Sequence, residues 1–199
     1  MKIYDISQEL LSSAVYDGDP IPTTQLVKSM DGGELYNLTA LSMCVHNGTH
    51  IDAPRHFINN GKDVSAIPLD RFVGMAYIVT CGGDIDTATA RQILNRVNEI
   101  NPNSVHRILF KGDCALTLDA AHILADSGVV LVGTESQSVG PVDSPMAVHL
   151  ALLSRDIVLL EGLRLSAVPD GVYLLAAQPI NIAGADGSPT RAILIDGIV

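Results

Sequence analysis

Residues 46–56 read His46-Asn47-Gly48-Thr49-His50-Ile51-Asp52-Ala53-Pro54-Arg55-His56 and place three imidazoles and one carboxylate within eleven positions. The whole chain has six histidines, so half of them lie in this segment. Histidine and aspartate are ligands that suit borderline divalent metals such as zinc and manganese. A segment this rich in such side chains predicts a metal site with an acid–base group beside it.

The spacing within the segment favours a shared ligand face. His50 and Asp52 are two positions apart, which in a strand puts both side chains on the same side. His46 can reach that side only if the chain turns at Gly48, where glycine accepts a positive φ. Pro54 fixes its own φ and stiffens the exit from the strand. The alternative interpretation is a strand end whose surface histidines cluster without binding a metal.

The segment also resembles the HxGTHxDxPxH signature of the cyclase family of metal-dependent hydrolases, whose best-known enzyme class is bacterial kynurenine formamidase. Every fixed position of the signature is present, which makes it more specific than a lone glycine fingerprint. The resemblance implies a single α/β domain over residues 1–199. Its expected architecture is a compact, barrel-like mixed sheet flanked by helices, of the swivelling β/β/α type.

A second block supports the first. His149 lies in an amphipathic, helix-like stretch opened by Pro145, a residue that is tolerated at a first helical position. Glu161 ends the apolar run 157–160, which predicts a buried strand, and a carboxylate there is costly unless it is paired. The alternatives are a histidine on a helix surface and a glutamate in an ordinary ion pair. In the family, this region supplies a His and a Glu to a second metal, and His149 and Glu161 match those positions.

The resemblance therefore implies two divalent cations that share one carboxylate, with zinc as the expected metal and manganese as the alternative. Asp52 would bridge the two ions. His56, as a non-ligand or a weak ligand, would transfer a proton to the leaving nitrogen, a role that imidazole suits. The implied reaction is hydrolysis of a small amide or formamide, such as N-formylkynurenine, by a metal-activated water. The implied metal ligands are His46, His50, Asp52, His149 and Glu161.

Three residues are candidates for substrate contact. Tyr16 and Asp17 lie in a segment that resembles the family's early pocket loop, where kynurenine formamidases tend to carry a Trp, although this chain has none. Tyr16 could supply the stacking face instead. Glu135 follows a buried strand, where loops of α/β sheets often meet ligands, and turn formation is its alternative role. Residues 184–192 resemble the family's C-terminal stretch, but alone they indicate only a turn.

The rest of the chain alternates strands with short helices, which predicts an α/β fold with some parallel pairing. Asp86 is the expected N-cap of the first helix. Helices are predicted at residues 87–97 and 117–125 and around His149. Strands are predicted at residues 1–7, 38–45, 76–81, 107–110, 129–132, 157–160, 172–176 and 192–195.

Composition narrows the class of partner. A formal net charge of −10 argues against nucleic acid and against an anionic membrane surface. The three cysteines are scattered and the N-terminus has no apolar signal region, so we expect a reducing cytoplasm. The family resemblance implies a homo-oligomer, at least a dimer, whose partner chain helps to close the pocket. From the sequence itself, only the apolar bias supports this, a mean hydropathy of +0.30 with 17% charged residues. The expected ligand is a small-molecule substrate.

Two alternatives to amide hydrolysis remain open at this level. One is a binding protein that keeps its metal only as a structural clip. The other is different metal-dependent chemistry on the same scaffold, such as lactone opening or dehydration.

Overall fold

A computed structural model describes residues 1–104 and 106–197 of the chain. The α-helices in these residues are α1 (Thr87–Ile100), α2 (Leu118–Ala125) and α3 (Met146–Leu153). The strands are β1 (Lys2–Asp5), β2 (Thr23–Lys28), β3 (Leu38–Ser42), β4 (His50–Asp52), β5 (Val73–Thr80), β6 (Gly83–Ile85), β7 (Arg107–Lys111), β8 (Cys114–Leu116), β9 (Leu131–Thr134), β10 (Val158–Glu161), β11 (Gly171–Ala176), β12 (Gly187–Pro189) and β13 (Ile193–Asp196).

Nine of these strands form one curled mixed sheet in the order β1-β13-β11-β5-β7-β9-β10-β4-β12. The central strands β5, β7, β9 and β10 run parallel, and the strands on either side of them pair antiparallel. The remaining strands form the hairpin β2–β3 and the short parallel pair β6–β8. The predicted α/β class, with a barrel-like mixed sheet flanked by helices in a single domain, is therefore confirmed.

Alternate side chains of the sheet enter two apolar layers, because neighbouring residues of a strand point to opposite faces. In β5, Tyr77 and Val79 join the layer that contains the buried faces of all three helices. Their neighbours Ala76 and Ile78 join the opposite layer, formed with β11 and β13. Fully burying one such aliphatic side chain contributes about 1.5–3 kcal/mol. The two layers hold the sheet rigid where it carries the functional residues.

Side-chain caps fix the starts of two helices, and one of them is the predicted cap Asp86. Asp86 accepts a hydrogen bond from the Thr89 N–H at the start of α1, and Thr117 accepts one from the Ala120 N–H at the start of α2. Each cap satisfies an N–H that has no partner inside its helix. Pro145 differs slightly from the prediction, since it occupies the N-cap of α3 rather than its first helical position.

The strand predicted at residues 38–45 ends at Ser42 and does not feed the histidine-rich segment directly. It pairs with β2 in a hairpin, and its residues are exposed. The chain then turns at Asn47, whose N–H donates to the Cys44 carbonyl and whose side chain accepts from the Cys44 N–H. Local alternation predicts a strand correctly here but does not reveal its partner. Within residues 1–104 and 106–197, none of the helices has the length and apolar character that a bilayer crossing requires.

Candidate metal centre

Strand β4 brings distant parts of the chain together, because it lies between β10 and β12 in the sheet. His50 is paired with Glu161 of β10, and Asp52 is paired with Gly187 of β12. The side chains of His50 and Asp52 meet at one site, as their spacing of two predicts. The sheet register therefore joins the first histidine segment to the second predicted ligand block.

The glycine and threonine of the signature hold the backbone of this junction. Gly48 has a φ of +67°, and its carbonyl accepts a hydrogen bond from His50 Nδ1 at 3.1 Å. The Thr49 hydroxyl donates to the Gly162 carbonyl at 2.7 Å. A Cβ on Gly162 would lie 2.3 Å from the Gly48 carbonyl oxygen, and the φ of Gly162 is +69°. Only glycine fits at residue 162 without moving the ligand segment.

Replacement of Gly162 by alanine is expected to lower the free energy of unfolding by about 3 kcal/mol or more. The positive φ alone costs about 1–2 kcal/mol, and the backbone overlap with Gly48 adds to it. Urea unfolding followed by circular dichroism measures the change. Gly128→Ala is the matched control, since Gly128 has a φ of +86° but open space around it. Equal losses in the two variants would show that the close approach to Gly48 does not matter.

Backbone carbonyls orient the two most buried imidazoles. The Nδ1 atom of His149 donates to the Pro145 carbonyl at 2.8 Å, and Nδ1 of His50 is held by the Gly48 carbonyl. Both rings therefore turn Nε2 inward, towards the carboxylates of Asp52 and Glu161. Hydrogen bonds of this kind fix the tautomer of metal-ligating histidines.

The five predicted ligands converge in two overlapping groups that share Asp52. On one side, Oδ1 of Asp52 lies 2.9 Å from His46 Nδ1 and 3.4 Å from His50 Nε2. On the other side, Oδ2 lies 3.6 Å from His149 Nε2, which is itself 3.3 Å from Glu161 Oε1. Two ligands of one tetrahedral zinc ion stand about 3.3 Å apart, so these spacings suit a divalent metal.

The charges at the centre also suit a cation. Asp52 and Glu161 are 1% and 2% exposed, and Oδ2 of Asp52 is a buried acceptor without a hydrogen-bond partner among the described residues. Burial lowers the pKa of His50, but the carboxylates of Asp52 and Glu161 outweigh this and raise it to about 10. Burial alone would raise the pKa of the Asp52 carboxyl, but the imidazoles of His46 and His50 hold this pKa well below its usual range. The two buried carboxylates are therefore stabilised by positive charge beside them, which a divalent metal would supply.

Asp186 lies against two histidines of the centre, although the sequence did not single it out. Its Oδ2 atom lies 2.9 Å from His46 Nε2 and 3.2 Å from His56 Nδ1. Burial lowers the pKa of His56 below its usual value, so this ring is favoured in the neutral form. The sequence signal for Asp186 is its place in the 184–192 block, which resembles the family's C-terminal stretch but by itself indicates only a turn.

A cavity of about 250 Å³ opens beside the centre and is lined by four of the five predicted ligands, all except Asp52. Of the predicted substrate contacts, Tyr16 lines this cavity. Asp17 does not, and the acidic residue of that loop that lines the cavity is Asp19. Glu135 lines an adjoining cavity instead. Its carboxylate accepts the N–H groups of Gly112 and Leu165, at 2.7 Å each. The remaining lining residues are His46, His50, His56, Phe57, Gln137, Ser138, Pro145, His149 and Glu161.

Comparison with known proteins agrees with the geometry. The family model described as "Putative cyclase" matches residues 4–141. The chain belongs to the cyclase family. A kynurenine formamidase of Salinibacter ruber (strain DSM 13855 / M31) is 36% identical to this cyclase-family chain over 212 residues, covering 98% of each protein. A kynurenine formamidase of Erythrobacter litoralis (strain HTCC2594) is 35% identical over 204 residues, covering 97% of this chain and 93% of that protein.

Solved structures share the cyclase-family fold. A structure described as a potential metal-dependent hydrolase with cyclase activity has a TM-score of 0.80 and 26% identity, covering 97% of this chain and 96% of that one. Isatin hydrolase A from Labrenzia aggregata has a TM-score of 0.82 and 20% identity, covering 98% and 94%, and shows the fold alone.

Proposed function

We propose that this cyclase-family chain is a metal-dependent hydrolase that cleaves the C–N bond of a small amide or formamide. The observation that carries the proposal is the buried Oδ2 atom of Asp52, which has no hydrogen-bond partner in the described part of the chain and lies among inward-facing imidazoles. Two divalent cations, zinc with manganese as the alternative, would be held by His46, His50, Asp52, His149 and Glu161. When bound, such ions activate a water molecule and polarise a carbonyl group.

The residues around the centre have separate tasks in this reaction. His56 lines the cavity and is held through Nδ1, so its Nε2 can take a proton and deliver it to the leaving nitrogen. Phe57 packs against His56 and His149, with ring centroids 4.5 and 4.7 Å apart, and restricts water beside the proton-transfer group. Tyr16 gives the cavity an aromatic face that could contact an aryl substituent.

The size and wall of the cavity support a small, partly aromatic substrate. A volume of about 250 Å³ suits a molecule of one ring with a short acyl group. The kynurenine formamidase names of the relatives support N-formylkynurenine as the reference substrate. A formyl carbonyl is unhindered, and an aryl amine leaves readily once protonated.

The test is turnover by purified enzyme of N-formylkynurenine, formanilide, an aliphatic amide and a cyclic imide, before and after chelation. We expect turnover of a formamide, its loss on removal of metal, and its return when zinc is added. Elemental analysis should find about two metal ions per chain. Tightly bound metal without turnover of any of these substrates would favour the structural-clip alternative. Full activity after chelation, with a metal content near zero, would refute the proposal.

We also propose that the chain forms a homo-oligomer through the hairpin arm, defined here as residues 21–41. A two-stranded hairpin is marginally stable by itself, and clustered exposed apolar side chains mark interaction sites. The exposed apolar residues of the arm are Ile21, Leu26, Val27, Met30, Leu35, Tyr36, Leu38 and Leu41.

The net charge of −10 and the three free cysteines support a further proposal on location and partners. The protein would act on a small molecule in a reducing cytoplasm, without nucleic acid or membrane as partner.

Light scattering at micromolar concentration should give at least twice the chain mass of 21.0 kDa. The double substitution Leu26→Lys with Leu41→Lys should reduce this mass towards that of one chain, because both side chains lie on one face of the arm. Leu69→Lys is the control, since Leu69 is 66% exposed but lies outside the arm. A clean monomer mass for the unmodified protein would contradict the proposal.

A further inference from the structure

Asp186 lies at the edge of the metal centre, in the segment that precedes β12. Its backbone is fixed, since the Ala53 N–H donates to the Asp186 carbonyl at 2.9 Å. The next residue, Gly187, is paired with Asp52 in the sheet. The strand that carries two proposed ligands therefore also sets the position of the Asp186 side chain.

One oxygen of the Asp186 carboxylate contacts two imidazoles. Oδ2 is within hydrogen-bond distance of His46 Nε2 and His56 Nδ1, at 2.9 and 3.2 Å. The centroids of the two rings are 4.0 Å apart. An ionised carboxylate only accepts hydrogen bonds, so each of these nitrogens must carry the proton that it donates.

This placement of protons decides which nitrogen of each ring is free. In His46 both nitrogens contact carboxylates, because Nδ1 lies 2.9 Å from Asp52 Oδ1. With Nε2 held by Asp186, Nδ1 is the nitrogen that would give up its proton to bind a metal. In His56 the same placement leaves Nε2 available to accept a proton. Among residues 1–104 and 106–197, none is hydrogen-bonded to that Nε2 atom, and His56 lines the cavity. A single oxygen thus orients a metal ligand and a proton-transfer group together.

We propose that Asp186 is a positioning residue that fixes the tautomers and ring orientations of His46 and His56. The inference rests on the proposed hydrolysis for the role of His56, but the tautomers can be observed without turnover. A carboxylate on the outer nitrogen of a histidine fixes its tautomer and raises the basicity of the inner nitrogen. Asp186 would therefore act through the two imidazoles without touching substrate.

The kinetic test uses zinc-loaded enzyme with saturating zinc in every assay. Asp186→Ala should lower kcat by about 10–100-fold, the usual effect of losing such a partner, while KM changes less than about threefold. Asp186→Asn should lower kcat by a smaller factor, because the amide oxygen of the asparagine still accepts one hydrogen bond. When Asp186→Ala is added to His56→Ala, we expect kcat to fall by less than about threefold relative to His56→Ala alone. Losses that multiply across the two backgrounds would show that Asp186 does not act through His56, and would overturn the inference.

A second measurement needs no turnover. Nitrogen-15 correlation spectra of the zinc-loaded protein report which ring nitrogen carries the proton, and the spectrum of His56→Ala assigns the His56 signal. We expect the His56 proton on Nδ1 in the unmodified protein and a mixture of both tautomers in Asp186→Ala. A His56 proton on Nε2 in the unmodified protein would overturn the inference. The expected tautomers in a protein that hydrolyses no amide would instead support the inference while refuting the proposed function.

Discussion

Substitution of Asp52 by alanine is expected to abolish both metal binding and hydrolysis. Its Oδ1 atom faces His46 and His50, and its Oδ2 atom faces His149, so one change removes a donor from both halves of the centre. Metal content should fall to near zero, and kcat/KM should fall by about 10³-fold or more, since several kcal/mol of charge stabilisation are lost. Elemental analysis and a formamide assay measure the two effects.

Asp170→Asn is the matched control for this experiment. Asp170 also accepts several hydrogen bonds, from Lys111 and from Thr80, but it lies outside the cavity lining. It is partly exposed, so we expect a loss of stability of at most about 1 kcal/mol and no change in metal content or kcat. A full complement of metal in Asp52→Ala would show that Asp52 does not bridge the two ligand groups.

Substitution of His56 by alanine should separate proton transfer from metal binding. We expect the metal content to stay unchanged while kcat falls by about 10²–10⁴-fold, the usual range for a general acid–base group. The reason is geometric: His56 Nδ1 faces Asp186 rather than the Asp52 carboxylate at the middle of the centre. Elemental analysis and steady-state kinetics on the same sample test both parts.

The structure also defines the outcome that would contradict this role. His46, His56 and Asp186 form a third group whose donor atoms lie within 4.8 Å of one another and could hold an ion. If His56→Ala loses one metal ion per chain, His56 is a ligand and its assignment to proton transfer is wrong. His122→Ala is the control, because His122 is exposed on α2.

Much of the centre can be predicted from the sequence because its donors have distinctive chemistry and short spacings. His50 and Asp52 share a face because strand side chains alternate, and that rule needs no tertiary information. Glu161 could be anticipated as a buried, paired carboxylate because it ends an apolar run. The parallel pairing of β5, β7, β9 and β10 also follows from the alternation of strands and helices.

Other features depend on tertiary pairing and could not be predicted locally. Asp186 precedes a three-residue strand whose sequence has turn chemistry, and only its pairing with β4 brings it to the histidines. Glu135 follows a buried strand, as a substrate contact often does, yet its carboxylate accepts two backbone N–H groups. Nothing in the sequence around Glu135 distinguishes these two roles.

The neighbours of β4 in the sheet have a consequence for biosynthesis. Ribosomes make the chain from its N-terminus, whereas β4 pairs with strands that follow it by more than a hundred residues. At ordinary translation rates, β4 waits on the order of ten seconds for either partner. During that interval the backbone N–H and C=O groups of β4 lack both of these partner strands, and the side chains of His50 and Asp52 are accessible to metal ions in solution. A nascent chain is therefore most exposed to wrong pairing and premature metal capture before β10 leaves the ribosome.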